Sequence, residues 1–184
     1  MDSQAQKFSE VVKRFYDDDF MHLKSESFEI DGKREGPYKS YYPNGIILNT
    51  ANYVAGELEG EYRMHYKNGQ LGEIAYFRNG LREGECRKYF STGCLNEITN
   101  YKHGKKDGLH KSYLGDGRIL HVDYYVDGEL EGVDRYEYYI NGKTKSIIHY
   151  KNGKKNGKYI TYHENGELYL TREYRNDKLV SWVR

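Results

Sequence analysis

Apolar and polar positions along this chain follow neither a long helical stripe nor a simple alternation; they recur every two dozen residues. Aromatic residues occupy Tyr41, Tyr89, Tyr113, Tyr138 and Tyr162, with His65 in the same column, each four residues before a glycine. The next position carries Tyr42, Tyr66, Phe90, Leu114, Tyr139 and His163, and a further aromatic column reads Tyr53, Phe77, Tyr101, Tyr125, Tyr150 and Tyr174. Aliphatic residues fill two more columns, Ile47, Leu71, Leu95, Ile119 and Leu168, then Ile74, Ile98, Val122 and Ile147. These two lie three residues apart, so alternation alone does not place both on one sheet face; a bulge between them, or apolar surface on both faces, is expected.

The glycines share the period. Of 20 glycines, 18 fall in three columns headed by Gly32, Gly36 and Gly45, and only Gly72 and Gly115 lie outside. The step is 24 residues, with one residue inserted between Gly132 and Gly142, and a worn last unit sets Asp177 and Ser181 where the first two glycines belong. A glycine about every eight residues from 32 to 166 rules out a helical unit, since each would cost about 1 kcal/mol in a helix interior. The segments between read as strands. Asn68-Gly69 and its counterparts predict type I′ hairpin turns, with Thr92 the misfit. The stretch from first to second glycine (GKREG, GELEG, GLREG) predicts a slightly longer second turn at the opposite edge. If the units stack, each aromatic column becomes a ladder of neighbouring rings.

The resulting expectation is an all-β protein: an elongated, twisted antiparallel β-meander of about six to seven hairpin repeats with a short N-terminal capping helix. Phe8, Val11, Val12, Phe15 and Tyr16 stand at helical spacing, with Ser3 as N-cap. Residues 1–27 are read as this cap and linker, 28–176 as the hairpin array, and 177–184, with Trp182 and Val183, as a C-terminal capping strand. Covering the ends matters because a bare edge strand invites pairing, and an end-to-end homodimer is the alternative outcome.

The repeating unit G-x-x-x-G-x-Y-x-x-Y-Y-x-N-G-x-L, best seen in residues 60–71 and 157–168, closely resembles the MORN repeat. It is most similar to the 24-residue variant of YwqK-like antitoxins and of proteins from large DNA viruses. The resemblance covers residues 28–180. It implies an antiparallel β array used for protein contacts and, in some members, for acidic phospholipids; the antitoxin label implies toxin neutralisation as a further role. It implies no catalytic residue and no cofactor. Cys86, His110 and Asp134 depart from it, standing where Tyr38, Tyr62 and Tyr159 stand in other units.

Charge adds one local feature. The net charge is +1, so whole-molecule attraction to nucleic acid is not expected. Yet residues 1–100 balance at −3 and residues 101–184 at +4, and residues 138–163 hold Lys143, Lys145, Lys151, Lys154, Lys155 and Lys158 with no acid. These six form the candidate anion- or lipid-binding strip. Tyr41, Tyr66, Tyr89, Tyr113, Tyr138 and Tyr162 form the candidate protein-contact surface. The seven histidines show no H-x-x-x-H pair and there is no C-x-x-C, so no metal is expected. Cys86 and Cys94 are too far apart along paired strands to bridge, and acidic pairs such as Glu57 and Glu59 read as solvated turn edges. No apolar run spans a membrane and the amino terminus lacks the apolar segment of a secretory signal, so the expected setting is cytoplasmic. The expected role is a non-enzymatic interaction module for a protein partner, with peripheral membrane or phosphoinositide binding as the alternative.

Overall fold

The computed structural model describes residues 8–183, with the side chains of residues 133–135 left aside. Eighteen strands and no helix occur among the described residues, and every strand pairing is antiparallel. The chain divides into two compact units, residues 1–83 with 91–93, and residues 84–90 with 94–184.

The first unit holds β1 (Ser9–Phe15), β2 (Leu23–Ile30), β3 (Lys33–Tyr41), β4 (Ile47–Val54), β5 (Glu57–Leu58), β6 (Gly60–His65), β7 (Leu71–Arg78) and β8 (Leu81–Arg82). The second holds β9 (Gly84–Tyr89), β10 (Leu95–Lys102), β11 (Lys105–Tyr113), β12 (Ile119–Val126), β13 (Glu129–Leu130), β14 (Gly132–Tyr138), β15 (Thr144–Lys151), β16 (Lys154–Tyr162), β17 (Leu168–Arg175) and β18 (Lys178–Val183). Within each unit the sheet is a meander, each long strand pairing with those before and after it.

The expected N-terminal helix is a strand. Ser3 lies outside the described residues, but Ser9–Phe15 forms β1 and pairs with β2 from Ser9↔Ile30 to Phe15↔Leu23. The reason lies in register with the repeat: Phe15-Tyr16 occupies the place of Tyr41-Tyr42, and the Tyr16 hydroxyl donates to the Tyr41 carbonyl at 2.8 Å. A free edge on β2 offers backbone partners to a segment that includes the β-branched pair Val11-Val12, and this outweighs helical spacing.

The turn assignment also changes. Type I′ turns lie at the first glycine column, where both central residues have positive φ: Asn79 at 49° and Gly80 at 74°, for example. The preceding and following residues, Arg78 and Leu81, pair directly. At the third column the Asn is not left-handed. Gly45 N–H donates to the Tyr42 carbonyl and Tyr42 N–H to the Ile46 carbonyl, a type I turn closed by glycine at φ 82° in a bulge. Asn44 instead accepts the Ile46 N–H on its side-chain oxygen, as Asn68, Asp116, Asn141 and Asn165 do for the residue two further on. Thr92 has a negative φ, so its β-branch meets no left-handed strain.

The second glycine makes no turn of its own. Between the pairs Tyr53↔Leu58 and Thr50↔Arg63 two extra residues, with Gly60 at φ 80°, bulge out of the strand. This frees a carbonyl beside each turn. The Gly56 N–H takes the Arg34 carbonyl at 2.9 Å, and Gly80, Gly128 and Gly153 repeat the bond to Leu58, Lys106 and Leu130. Carboxylates just before the second glycine complete the edge: Glu35 accepts the Ala55 N–H, Glu59 that of Asn79 and Glu131 that of Asn152. Glu59, read as part of a solvated turn edge, thus caps the next unit's turn.

A register shift also separates the two aliphatic columns, as between Met64 and His65, so Leu71 and Ile74 share a face. The opposite face buries polar side chains. Among the described residues the largest fully buried side chains are Thr99, Asp123 and Ser146, and the buried apolar residues are Ala75, Cys86 and Ile148. Each polar group is held by neighbours, Ser27 donating to Glu29 at 3.0 Å and Ser146 to Glu137 at 2.9 Å. Ring pairs roof this face: Tyr38 against Tyr53 at 5.6 Å with the Arg34 guanidinium over both, Tyr62 against Phe77, and Tyr159 against Tyr174 with Lys155 over both. These contacts join different columns rather than run along one. Equivalent residues of successive units lie two strands apart, roughly 9.6 Å, beyond ring contact.

Candidate functional site

Two surfaces and one cluster stand out, and the alternation of the strands places all of them. In the second unit, Ile98, Lys111, Val122, Tyr136, Ile147 and Ile160 stand opposite one another across β10, β11, β12, β14, β15 and β16. Each member of this row is half-buried. Its neighbours Leu109 and Tyr124 are 46% and 43% exposed, and Leu109, Val122, Tyr124 and Tyr136 line a shallow groove of about 330 Å³.

The six candidate contact tyrosines are all half-buried. By strand alternation Tyr41, Tyr89, Tyr113, Tyr138 and Tyr162 point to the aliphatic face. Tyr66 does not: its ring lies with Met64 over Gly72, where an added Cβ would come within 2.8 Å of Met64 and 3.1 Å of Tyr66. That contact accounts for one of the two glycines outside the columns. Tyr41 donates to Glu26 at 2.6 Å, and burial together with this carboxylate pushes its phenol up to about 12.

The six lysines do not form one strip. Lys143 and Lys145 lie at the start of β15, where Lys143 donates to the Asn165 carbonyl at 2.7 Å and Lys145 stands over the Tyr139 ring. Lys151 and Lys154 flank the Asn152-Gly153 turn at the other end of that strand, roughly 26 Å away at ~3.3 Å per residue. Lys155 belongs to the ring roof, and Lys158 pairs across to Glu173. Lys151 and Lys154 share a groove with Arg175, Asn152, Asn156 and Asn176, and Glu129 also lines it.

The cluster lies on the buried face of β10, β11 and β12. Thr99 pairs with His110 and His110 with Asp123, while Ser112 pairs with His121. Ligand atoms of His110, His121 and Asp123 all lie within 4.8 Å of one another. Thr99 Oγ1 donates to Glu97 Oε1 at 2.7 Å and meets His110 Nδ1 at 2.8 Å; Ser112 Oγ meets His121 Nδ1 at 2.8 Å. Burial, reinforced by the Lys106 ammonium, lowers the His110 pKa against the pull of Glu97 and Asp123, and the ring is neutral near pH 7. Burial pushes the Glu97 carboxyl up, but the Thr99 hydroxyl, Lys88, His110 and Lys106 outweigh it and its pKa falls below the ordinary 4.5.

No short sequence motif marks this cluster, because His110 and His121 are eleven residues apart and meet only when the β11–β12 hairpin folds back. The legible signal was His121-Val122-Asp123, since residues i and i+2 of a strand share a face. Cys86 is buried, Cys94 exposed, and no disulfide joins them.

Four stretches, residues 34–55, 58–79, 133–152 and 155–176, match the family model of the MORN repeat variant. The chain carries MORN repeats. Each match starts two residues after a first-column glycine or next to a second-column one and ends at the following type I′ turn, so the family unit coincides with the hairpin seen here. The YwqK-like subtype is not among the matches. The departures from the repeat at Cys86 and His110 fall in the unmatched stretch, which also holds the histidine cluster. A search for curated relatives of this MORN-repeat chain finds no match.

Proposed function

We propose that the protein is a non-enzymatic interaction module whose second unit binds a protein partner through its aliphatic face. The observation that carries this reading is the row from Ile98 to Ile160 with the exposed Leu109 and Tyr124 beside it. A largely apolar stripe, interrupted here by Lys111, with exposed apolar residues beside it is the kind of patch that marks protein contact, and aromatic residues supply much of the energy in such interfaces. MORN repeats serve generally as protein or membrane interaction modules, which agrees with this use.

Affinity capture from the native cell tests it with three baits: the wild-type chain, a Leu109→Glu/Tyr124→Glu variant, and a variant with the six lysines changed to Gln. A partner kept by the lysine variant and lost by the apolar-face variant is the expected result. A partner insensitive to the apolar-face changes sinks the proposal.

A second reading rests on Lys151, Lys154 and Arg175 around neighbouring turns. Attraction of about 1 kcal/mol per cation near an anionic surface makes weak recruitment to acidic phospholipid the alternative. Sedimentation with phosphatidylserine vesicles at low salt tests it, and equal recovery with neutral vesicles would dismiss it.

A further inference from the structure

We propose that His110, His121 and Asp123 bind one divalent transition-metal ion of the zinc type. The three residues come from two adjacent strands and converge on the buried face, His110 and Asp123 being 6% and 1% exposed. Two imidazoles and a carboxylate suit zinc and its first-row neighbours, whereas calcium and magnesium ask for sites made mainly of oxygen. The ligand atoms lie within 4.8 Å of one another; a zinc ion with bonds of about 2.0–2.1 Å holds them roughly 3.4 Å apart, so closure requires only side-chain rotation of the order of an ångström.

The surroundings prepare the ligands. Because Thr99 gives its hydroxyl proton to Glu97, its oxygen can only accept from His110, which places the proton on His110 Nδ1 and leaves the other ring nitrogen with its lone pair. This carboxylate–hydroxyl–imidazole chain fixes tautomer and ring orientation as the outer partners of metal-bound histidines do. The Ser112 hydroxyl, 2.8 Å from His121 Nδ1 and 3.1 Å from Nε2, holds the His121 ring beside the site. The His121 side chain keeps 26% of its surface exposed, and the ion enters on that side. Asp123, 4.0 Å from His121, brings a buried carboxylate to the site, while Glu97, held by Thr99 and Lys88, stands behind the Nδ1 side of His110. Buried charges of this kind are paired or hold metals. The proposal stands apart from the interaction surface, which lies on the opposite face.

Titration of the metal-free full-length chain with Zn²⁺ by calorimetry is the test, with Co²⁺ absorption as a second readout that needs no variant. One ion per chain is expected, together with the visible bands of nitrogen- and oxygen-bound four- or five-coordinate cobalt and no thiolate charge-transfer band. His121→Ala and Asp123→Asn should abolish binding, His163→Ala should leave it unchanged, and the near-isosteric Thr99→Val should weaken it about ten- to a hundredfold by freeing the His110 ring. Circular dichroism checks that each variant folds. Absence of Zn²⁺ binding, a thiolate band, or binding that survives both His121→Ala and Asp123→Asn in folded protein would overturn the assignment.

Discussion

The Tyr42 hydroxyl donates a 2.9 Å hydrogen bond to the carbonyl oxygen of His65, twenty-three residues further along the chain. Tyr139 makes the same bond to Tyr162, and Tyr16 to Tyr41. Each ties one hairpin's turn to the next, so Tyr42 and Tyr139 of the second aromatic column act through their hydroxyls as well as their rings. Tyr139→Phe keeps the ring and removes the bond. Urea denaturation should show a loss of about 0.5–1.5 kcal/mol, and no loss would mean that the bond adds nothing beyond ring packing.

The left-handed turns make opposite predictions at two positions. Gly80 has φ 74°, so Gly80→Val should cost more than about 1 kcal/mol. Ala55 occupies the left-handed place at φ 51° without a side chain suited to it, so Ala55→Gly should stabilise by about 0.5–1 kcal/mol. Thermal melts of both variants check the pair.

Tyr41 links stability to alkaline pH. Its phenol ionises at about 12 in the folded chain against 10.0 ordinarily, because burial and the Glu26 carboxylate both oppose the phenolate. Between those values the unfolded chain has released a proton that the folded chain retains, so stability falls as pH rises through the window. Spectrophotometric titration should find Tyr41 among the late-ionising tyrosines, with Tyr62 and Tyr159, whose burial also raises their phenols, and Tyr41→Phe should reduce the late amplitude by one tyrosine.

Glu29 acts at the acid end. The Ser27 hydroxyl is the main influence holding its carboxyl below the ordinary 4.5; burial opposes this, and Arg14, at 3.2 Å, adds to it. A depressed carboxylate contributes stability above its unfolded pKa, and that contribution disappears as pH falls through the folded value. Glu29→Gln should therefore flatten the decline in stability below about pH 4.5, followed by denaturant titration at a series of pH values.

The hairpin repeat was legible because glycine and aromatic columns carry the period directly. Less legible was the division of labour between the turns. Asn-Gly at 68–69 looks like a two-residue hairpin turn, yet Asn68 uses its side chain to bond Gln70 while Asn79-Gly80 makes the left-handed turn. Composition cannot separate these two uses of Asn beside Gly. The N-terminal strand escaped because Val11 and Phe15 fit a helical spacing, and only the register of Tyr16 with Tyr41 shows the alternative. The buried polar row escaped for a different reason: a search for apolar columns passes over Thr99, Asp123 and Ser146, whose burial depends on hydrogen bonds between strands. The lysines seemed continuous because they are close in sequence, but the eight-residue strand Thr144–Lys151 separates Lys143, just before it, from Lys151 at its far end.

The account rests most heavily on the two faces of the second unit having different roles, one closed over a polar network and the other open to a partner. Hydroxyl-radical footprinting of the chain alone and with its captured partner tests this most directly. Leu109, Val122 and Tyr124 should lose reactivity in the complex while Tyr159 and Tyr174 keep theirs. Protection confined to Tyr159 and Tyr174, with Leu109 and Tyr124 unchanged, would contradict the account.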